Sequence, residues 1–213
     1  AIRIAEKTGG SASSIIIGSN ESDEVLRRAI AMGAKDGILL KTEEAMQDPY
    51  LRACVIKGFL KKESMAFDMI FTGVQSEDDQ FAATGGMLAA LLGLPYASMV
   101  VGIDEIEQGF TIIRRELEGG LQEKIKVKLP CVLSIQSGIN EPRYVSIMGI
   151  RKASKVERKV FTASEYADSR TNMIEVVKWL YPPKKEGAVI ISGDTADICG
   201  KLISILREKG VSQ

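Results

Sequence analysis

Apolar and polar positions in the first half of the chain form two alternating kinds of stretch. Short runs that are almost entirely apolar lie at residues 14–18, 37–40 and 67–72. Such runs are typical of strands buried on both faces of a sheet. The stretches before and between them repeat apolar residues at helical spacing, which predicts helices over residues 1–8, about 20–33 and about 42–62. Alternating strands and helices indicate an α/β domain with a mainly parallel sheet.

The pattern changes after Pro95, where apolar stretches follow one another with only short turns between them. They span residues 97–103, 110–117 and 124–129, and a further buried run lies at 131–135. Consecutive strands with short turns are typical of antiparallel hairpins. We therefore predict that an antiparallel hairpin extends the mainly parallel sheet. Because the chain begins inside a predicted helix and without Met, we also expect an N-terminal strand of the domain to be missing.

The C-terminal part shows a weaker pattern. A basic stretch at 146–159 contains apolar Ile147, Met148 and Ile150. Further on, residues 189–192 predict a strand and residues 194–210 a capped helix. Apolar residues in a stretch with little helical or strand periodicity are typical of a segment that binds along the surface of a partner. We predict an α/β domain over residues 1–160 and an arm over residues 161–213 that packs on a partner; the alternative is a loosely packed extension of the same domain.

The composition excludes several classes of protein. The 28 basic and 28 acidic residues balance, which argues against a general binder of nucleic acids or acidic membranes. The sequence contains no histidine, which excludes histidine-dependent nucleophile systems and most zinc sites. No apolar run reaches about 18 residues, so we expect no transmembrane helix. Three widely spaced cysteines, Cys54, Cys131 and Cys199, are expected to be reduced and mostly buried.

The candidate site follows the predicted strand at 67–72. Gly73 ends that strand, a polar and acidic loop comes next, and a helix begins near Ala82 or Thr84. A strand, a glycine turn and a helix N-terminus form an anion cradle, because unpaired backbone N–H groups and the positive end of the helix dipole point toward the ligand. The sequence therefore predicts a phosphate position at this helix.

Three acidic residues in the loop, Glu77, Asp78 and Asp79, suit a different part of the ligand. Carboxylates repel phosphate but accept hydrogen bonds from ribose hydroxyls. We therefore predict a nucleotide site in which sugar acceptors precede phosphate donors. The alternative is a long βα loop without a ligand, because neither the GxGxxG nor the P-loop pattern is present.

Four motifs in order carry a resemblance to a known family. They lie at residues 31–34 (AMGA), 73–85 (GVQSEDDQFAATG), 115–134 (RELEGGLQEKIKVKLPCVLS) and 140–144 (NEPRY), the last followed by Arg151, Lys152 and Ala153. In these residues the chain resembles the β subunit of electron transfer flavoprotein, closely over about residues 1–160 and in outline beyond. The resemblance implies a three-layer, Rossmann-like α/β sandwich of the adenine-nucleotide α-hydrolase type, with an extended C-terminal arm.

The resemblance also implies a function. Members of this family form a heterodimer with an α subunit that holds the redox-active FAD, and most β subunits bind a structural AMP. The heterodimer carries electrons from dehydrogenases, such as acyl-CoA dehydrogenases, to a membrane quinone oxidoreductase or another acceptor, without catalysis by the β subunit itself. It acts in a bacterial cytoplasm or a mitochondrial matrix and is not an integral membrane protein.

The resemblance assigns roles to individual residues. The AMP contacts carry over to Gly73, Val74, Gln75, Ser76, Glu77, Asp78, Asp79, Gln80, Phe81, Ala82, Ala83 and Thr84, with Gly18 at the end of an earlier strand. Ile147, with Met148 beside it, corresponds to an apolar anchor that inserts into a pocket on acyl-CoA dehydrogenases; the alternative is that both cover the domain core. Glu116 corresponds to an acid near the subunit interface, and its alternative is an ordinary exposed charge.

Two other functions stay open from the sequence. In bifurcating members of the family the β subunit binds a second FAD in place of AMP and oxidises NADH; the loop here resembles the AMP type more closely. An adenine-nucleotide enzyme or sensor of similar architecture would need basic phosphate ligands, and residues 73–86 contain no Lys or Arg.

Overall fold

A computed structural model describes residues 1–43, 46–145, 147–156, 158–167, 172–178, 180–184 and 187–211. Part of the predicted helix at 42–62 and Ser146, which opens the predicted basic stretch, lie outside the described residues. The chain divides into two compact units, Ala1–Glu175 and Val176–Gln213. None of the described helices has the length and hydrophobicity needed to span a membrane.

The first unit contains eight strands and five helices among its described residues. The strands are β1 Ser13–Gly18, β2 Asp36–Lys41, β3 Met69–Gly73, β4 Tyr96–Glu107, β5 Phe110–Glu116, β6 Gln122–Lys128, β7 Cys131–Ile135 and β8 Lys159–Thr162. The helices are α1 Ile2–Thr8, α2 Asp23–Met32, α3 Pro49–Lys62, α4 Thr84–Leu92 and α5 Ile147–Lys155. Short 3₁₀ turns occur at Asn20–Ser22, Glu118–Gly120 and Ala163–Tyr166.

The strands form two sheets. One is entirely parallel, with the order β1-β2-β8, and the other has the order β3-β7-β4-β5-β6. In the second sheet β3, β7 and β4 run parallel, while β4, β5 and β6 pair antiparallel. The predicted α/β class and its antiparallel hairpin are therefore confirmed. The division of the strands between two sheets is a feature that the apolar pattern does not determine.

Two hydrophobic clusters stabilise this unit. The first is centred on Phe59 of α3, whose ring meets those of Phe161 and Tyr166 edge to face, with centroid distances of 5.1 and 5.3 Å. Burial, together with a 3.0 Å hydrogen bond from the Tyr166 hydroxyl to Glu63, raises the pKa of Tyr166 to about 12. The second cluster lies in the larger sheet around Val100, Ile113 and Leu133.

The position of Tyr166 bears on the domain boundary. Strand β8 and the turn Ala163–Tyr166 belong to the first of the two compact units, which ends at Glu175. The division into a domain over residues 1–160 and an arm over residues 161–213 stays a prediction. The packing of the C-terminal part on a partner stays a prediction.

Two local predictions differ from the structure. Helix α3 begins at Pro49 rather than near residue 42, because Asp48 Oδ1 accepts the Tyr50 N–H at 2.8 Å and Pro49 presets the first helical residue. Residues 189–192 form no strand, since no described strand of the second unit is available to pair with them. The last helix is confirmed as α6, Thr195–Glu208, with Asp194 Oδ1 accepting the Asp197 N–H at 2.9 Å.

Candidate functional site

The candidate site lies where β3 and β7 end side by side. Thr72 and Ser134 are paired in register, and their hydroxyl oxygens are 2.8 Å apart. The Tyr96 hydroxyl reaches the same Ser134 oxygen at 2.9 Å. Ser134 is buried, and a buried hydroxyl without a hydrogen bond would destabilise the fold. Its hydrogen bonds with the Thr72 and Tyr96 hydroxyls remove that penalty.

Helix α4 begins directly on these hydroxyls, within the range that the sequence predicts. A Cβ atom at Gly85 would stand 2.3 Å from Ser134 Oγ and 2.5 Å from Thr72 Oγ1. A larger residue would push the helix away from the sheet, so glycine sets how closely the first turn approaches the strand ends. The close approach positions the helix N-terminus above the carboxyl end of β3.

The N-terminus of α4 keeps its backbone donors free of side-chain caps. The N-cap residue Ala83 makes no side-chain hydrogen bond, and the first turn contains no acidic residue. At Gly73 a Cβ atom would meet nothing within 4 Å, and its φ is outside the left-handed region, so the chain itself does not require glycine there. Open space at Gly73 and a helix N-terminus without a side-chain cap are both compatible with a ligand that approaches the backbone closely.

Asp79 holds the loop together. Its Oδ1 accepts hydrogen bonds from Ser76 Oγ at 2.7 Å and from the Phe81 N–H at 3.2 Å, and its Oδ2 accepts one from Arg52 Nη2 at 2.7 Å. Burial by itself raises the pKa of Asp79, but the hydrogen bonds from Ser76 and Arg52 outweigh it and lower that pKa overall. The carboxylate is therefore engaged by the protein's own donors.

Sequence reasoning missed Arg52, a basic residue of α3 at this loop. Its Nε donates to the Met46 carbonyl at 2.6 Å, and its Nη2 donates to the Gln47 carbonyl at 3.1 Å as well as to Asp79. Residues 73–86 contain no cation, and Arg52, which supplies one, is 27 positions away from Asp79 in sequence. The signal available was its place in the first turn of a helix that follows a parallel strand.

The remaining predicted nucleotide contacts lie along the same loop. Glu77 and Asp78 are exposed, and Gln80 and Ala82 adopt left-handed backbone conformations with φ of 54° and 51°. These two turns carry the chain around Asp79 toward α4. Gln75, Ser76 and Phe81 are also exposed, while Val74, Ala83 and Thr84 are half-buried. Asp78 Oδ1 accepts the Asp79 N–H at 2.9 Å, so its other carboxylate oxygen and the exposed Glu77 carboxylate are the acceptors left for ligand hydroxyls.

Gly18 occupies a corresponding position in the other sheet. It ends β1, its carbonyl accepts the Thr42 N–H at 3.0 Å, and a Cβ there would meet Ser22 Oγ at 2.2 Å. The structure thus places Gly18 and the loop after Gly73 at the carboxyl ends of strands in two different sheets.

The predicted partner-binding residues are at the surface. Ile147 and Met148 are 72% and 76% exposed at the start of α5, which contradicts the alternative that they cover the core. Helix α5 packs on α2 and buries Ala153 on its opposite side. Glu116 is also exposed, with Gln136 Nε2 at 3.5 Å from its Oε2.

Ion pairs flank α5 on both sides. Arg143, which precedes the helix, makes a bidentate pair with Glu6 of α1, and this pairing lowers the pKa of Glu6. Arg158, which follows the helix, pairs with Asp23 of α2. These contacts hold α5 with its apolar residues facing outward.

The three cysteines are thiols and form no disulfide. Cys54 and Cys131 are buried and Cys199 is exposed, as the sequence predicts for most of them, and burial raises the pKa of Cys131 to about 11. The described residues contain no group of His, Cys, Asp and Glu able to hold a metal ion.

Comparisons with known proteins identify the family of this chain. The family model for the electron transfer flavoprotein domain matches residues 1–166. The chain is 32% identical to an electron transfer flavoprotein subunit beta from Methylophilus methylotrophus, over 91% of this chain and 75% of the relative. The same-named subunit of Bradyrhizobium diazoefficiens is 35% identical over 92% and 78%. That of Bacillus subtilis is 30% identical over 98% and 82%.

Similar subunits occur in Mus musculus, at 32% identity, and as a mitochondrial protein of Arabidopsis thaliana, at 35% identity. The matched residues include both sheets, the loop after β3 and helix α5. The chain therefore belongs to the family of electron transfer flavoprotein β subunits, electron carriers whose membership implies a flavin and an α-subunit partner.

Proposed function

We propose that this β subunit and its α subunit form a one-flavin electron shuttle. It accepts electrons from a dehydrogenase, such as an acyl-CoA dehydrogenase, and passes them to a quinone oxidoreductase or another acceptor. The FAD lies mainly in the α subunit, and the loop after β3 holds a structural AMP. The shuttle works in a bacterial cytoplasm or a mitochondrial matrix.

The observation that carries the AMP site is the N-terminus of α4, which has no side-chain cap and whose Gly85 lies against Thr72 and Ser134 at the ends of β3 and β7. Backbone N–H groups without side-chain acceptors favour a phosphate, and the open space at Gly73 admits it without a clash. Glu77 and Asp78, both exposed, are assigned to the ribose hydroxyls. Because Asp79 is occupied by Ser76, Phe81 and Arg52, its role is to fix the loop's shape.

The exposed end of α5 supports docking to a dehydrogenase. Ile147, Met148 and Ile150 are exposed on a helix whose later residues include Arg151 and Lys155. A small apolar anchor with a charged rim favours fast, specific and weak encounters, as electron carriers need.

The second unit supports a packing role on the α subunit. Leu202 and Ile205 of α6 are among its exposed apolar residues, and Leu180 and Tyr181 precede that helix. We propose that this surface, with Glu116 of the first unit, contacts the α subunit.

Nucleotide content tests the proposal directly. The full-length chain is co-expressed with its α subunit, and FAD and AMP released on denaturation are quantified by chromatography. We expect one FAD and one AMP for each heterodimer. Two FAD and no AMP would instead indicate a bifurcating protein that oxidises NADH, and turnover of ATP would indicate a nucleotide enzyme.

Substitution of Ile147 tests the docking site. Ile147→Ala should slow reduction of the heterodimer by its physiological dehydrogenase by about tenfold, because an apolar anchor in a binding pocket contributes about 1–2 kcal/mol. Flavin content should not change. The matched control is Val160→Ala, which shortens an apolar residue of β8 that is also exposed. If Ile147→Ala and Val160→Ala are reduced at equal rates, Ile147 is not the docking anchor.

A further inference from the structure

The first turn of α3 contacts two segments that are far apart in sequence. Asp48 is 2% exposed; its Oδ1 accepts the Tyr50 N–H at 2.8 Å, and its Oδ2 accepts the Met173 N–H at 2.7 Å. One turn later, Arg52 donates to Asp79 at 2.7 Å. The nucleotide loop and the last residues of the first unit are thus attached to the same helical turn.

The two attachments share a rigid backbone. Arg52 donates from its side chain to the carbonyls of Met46 and Gln47, and from its backbone N–H to the Asp48 carbonyl at 3.0 Å. The guanidinium that binds Asp79 thus also binds the two carbonyls that precede Asp48, which links its position to that of the segment carrying the Asp48 carboxylate. Because Asp48 is buried, losing either backbone donor would leave a carboxylate oxygen without a hydrogen bond. Both hydrogen bonds therefore stabilise the folded state.

We propose that Asp48 and Arg52 make this turn a clasp, in which nucleotide binding at the loop and attachment of residues 172–175 strengthen each other. The inference rests on the proposed function, since it takes the ligand of the loop to be AMP. Asp48 and Arg52 act as positioning residues: Arg52 fixes the loop through Asp79, and Asp48 fixes the point from which the chain continues into the second unit. Coupling of this kind is reciprocal, so each attachment should report on the other.

Two backbone amides report the two attachments separately. The Phe81 N–H donates to Asp79, and the Met173 N–H donates to Asp48. Hydrogen–deuterium exchange of both amides is measured on the heterodimer of the full chain with its α subunit, first depleted of nucleotide and then saturated with AMP. The clasp predicts that AMP slows exchange at Met173 by about three- to tenfold, the factor expected for one hydrogen bond.

Two conservative variants each disrupt one of the two attachments, Arg52→Lys the contact with Asp79 and Asp48→Asn the contact with Met173. Arg52→Lys keeps the charge but loses the planar fork that joins Asp79 to the carbonyls of Met46 and Gln47, so Met173 should exchange about three- to tenfold faster. The Tyr50 and Met173 N–H groups donate to different oxygens of Asp48, so Asp48→Asn sets an NH2 donor against one of these two N–H donors, and Phe81 should exchange faster. In either variant AMP should no longer protect Met173.

The control is Arg114→Lys, which alters an arginine of β5 that pairs with Asp104 at 2.9 Å and Gln122 at 3.2 Å. It should leave both amides unchanged. If AMP is retained but neither AMP nor Arg52→Lys alters Met173 exchange more than twofold, the clasp is wrong and the AMP site stands. If the heterodimer binds no AMP, the AMP assignment fails, and the response of Met173 to Arg52→Lys still decides whether the two segments are linked.

Discussion

The two units of the chain use their apolar residues in opposite ways. In Ala1–Glu175 the apolar residues form two buried clusters, and residues such as Phe59, Ile38 and Leu133 are almost inaccessible to solvent. Among the described residues of Val176–Gln213 none is buried, although α6 carries Ile198, Leu202 and others at helical spacing. An amphipathic helix needs a surface for its apolar face, and α6 contains no buried residue.

This difference fits the proposal that the second unit packs on a partner subunit. The first unit has sheets, helices and a core whose contacts span the sequence from β1 to Tyr166. The second unit presents apolar side chains at a density that is unusual for a free surface. The contrast predicts that equivalent substitutions in the two units act on different properties, namely folding of the subunit and association with the α subunit.

Truncation in the core should give the largest effect. Phe59→Ala removes the ring that meets Phe161 and Tyr166 and should lower the free energy of unfolding by about 3–5 kcal/mol. Urea denaturation of the full-length chain measures the change. Val160→Ala in β8, at an exposed site, should stay within about 0.5 kcal/mol. A loss below about 1 kcal/mol for Phe59→Ala would show that the first cluster does not govern folding of the first unit.

Removal of Asp79 should have an intermediate effect. Asp79→Ala leaves Arg52, Ser76 and the Phe81 N–H without their acceptor, which should cost about 1–3 kcal/mol and reduce the AMP retained after purification. The control Asp104→Ala removes a more exposed partner of Arg114 and should destabilise the protein less than Asp79→Ala does, because solvent screens an exposed ion pair. Unchanged nucleotide content in Asp79→Ala would contradict the proposal that Asp79 fixes the conformation of the nucleotide loop.

The Asp79 effect should also depend on pH. The pKa of Asp79 is lowered in the folded protein from its ordinary value of 3.8, so its ionised form contributes stability above about pH 4. That contribution is lost as the pH falls from 3.8 through the lower folded-state pKa. The stability difference between wild type and Asp79→Ala should therefore be constant near pH 7 and shrink below pH 3.8, as measured by denaturation at several pH values. A difference that grows on acidification would contradict the assigned pKa direction.

Substitution in α6 should have the smallest effect on folding. Leu202→Ser replaces an exposed apolar residue and should change the unfolding free energy of the isolated chain by less than about 0.5 kcal/mol. Its association with the α subunit should weaken about tenfold, because an apolar contact in an interface contributes about 1–2 kcal/mol. Lys209→Ala, at the C-cap of the same helix, serves as the control. Unaltered association would indicate that this face of α6 is not the interface.

The sequence by itself determined most of the local structure. Buried runs, helical spacing and terminators such as Gly33 and Gly93 placed the elements, because strands and helices impose different periods on apolar residues. The loop after Gly73 and the exposed apolar residues at the start of α5 were also located from the sequence, since both consist of residues that are contiguous in the chain; their binding roles stay predictions. Family membership followed from the same contiguous motifs and is confirmed by the comparisons.

Only the tertiary structure decided how distant segments meet. It showed that Arg52 reaches Asp79, that Ser134 lies beneath Gly85, and that Asp48 holds Met173. It also divided the strands between two sheets and brought Tyr166 into the core beside Phe59. Apolar periodicity reports which face of an element is buried but not which other element covers it. Contacts between residues 27 to 125 positions apart therefore become visible only when the chain is folded.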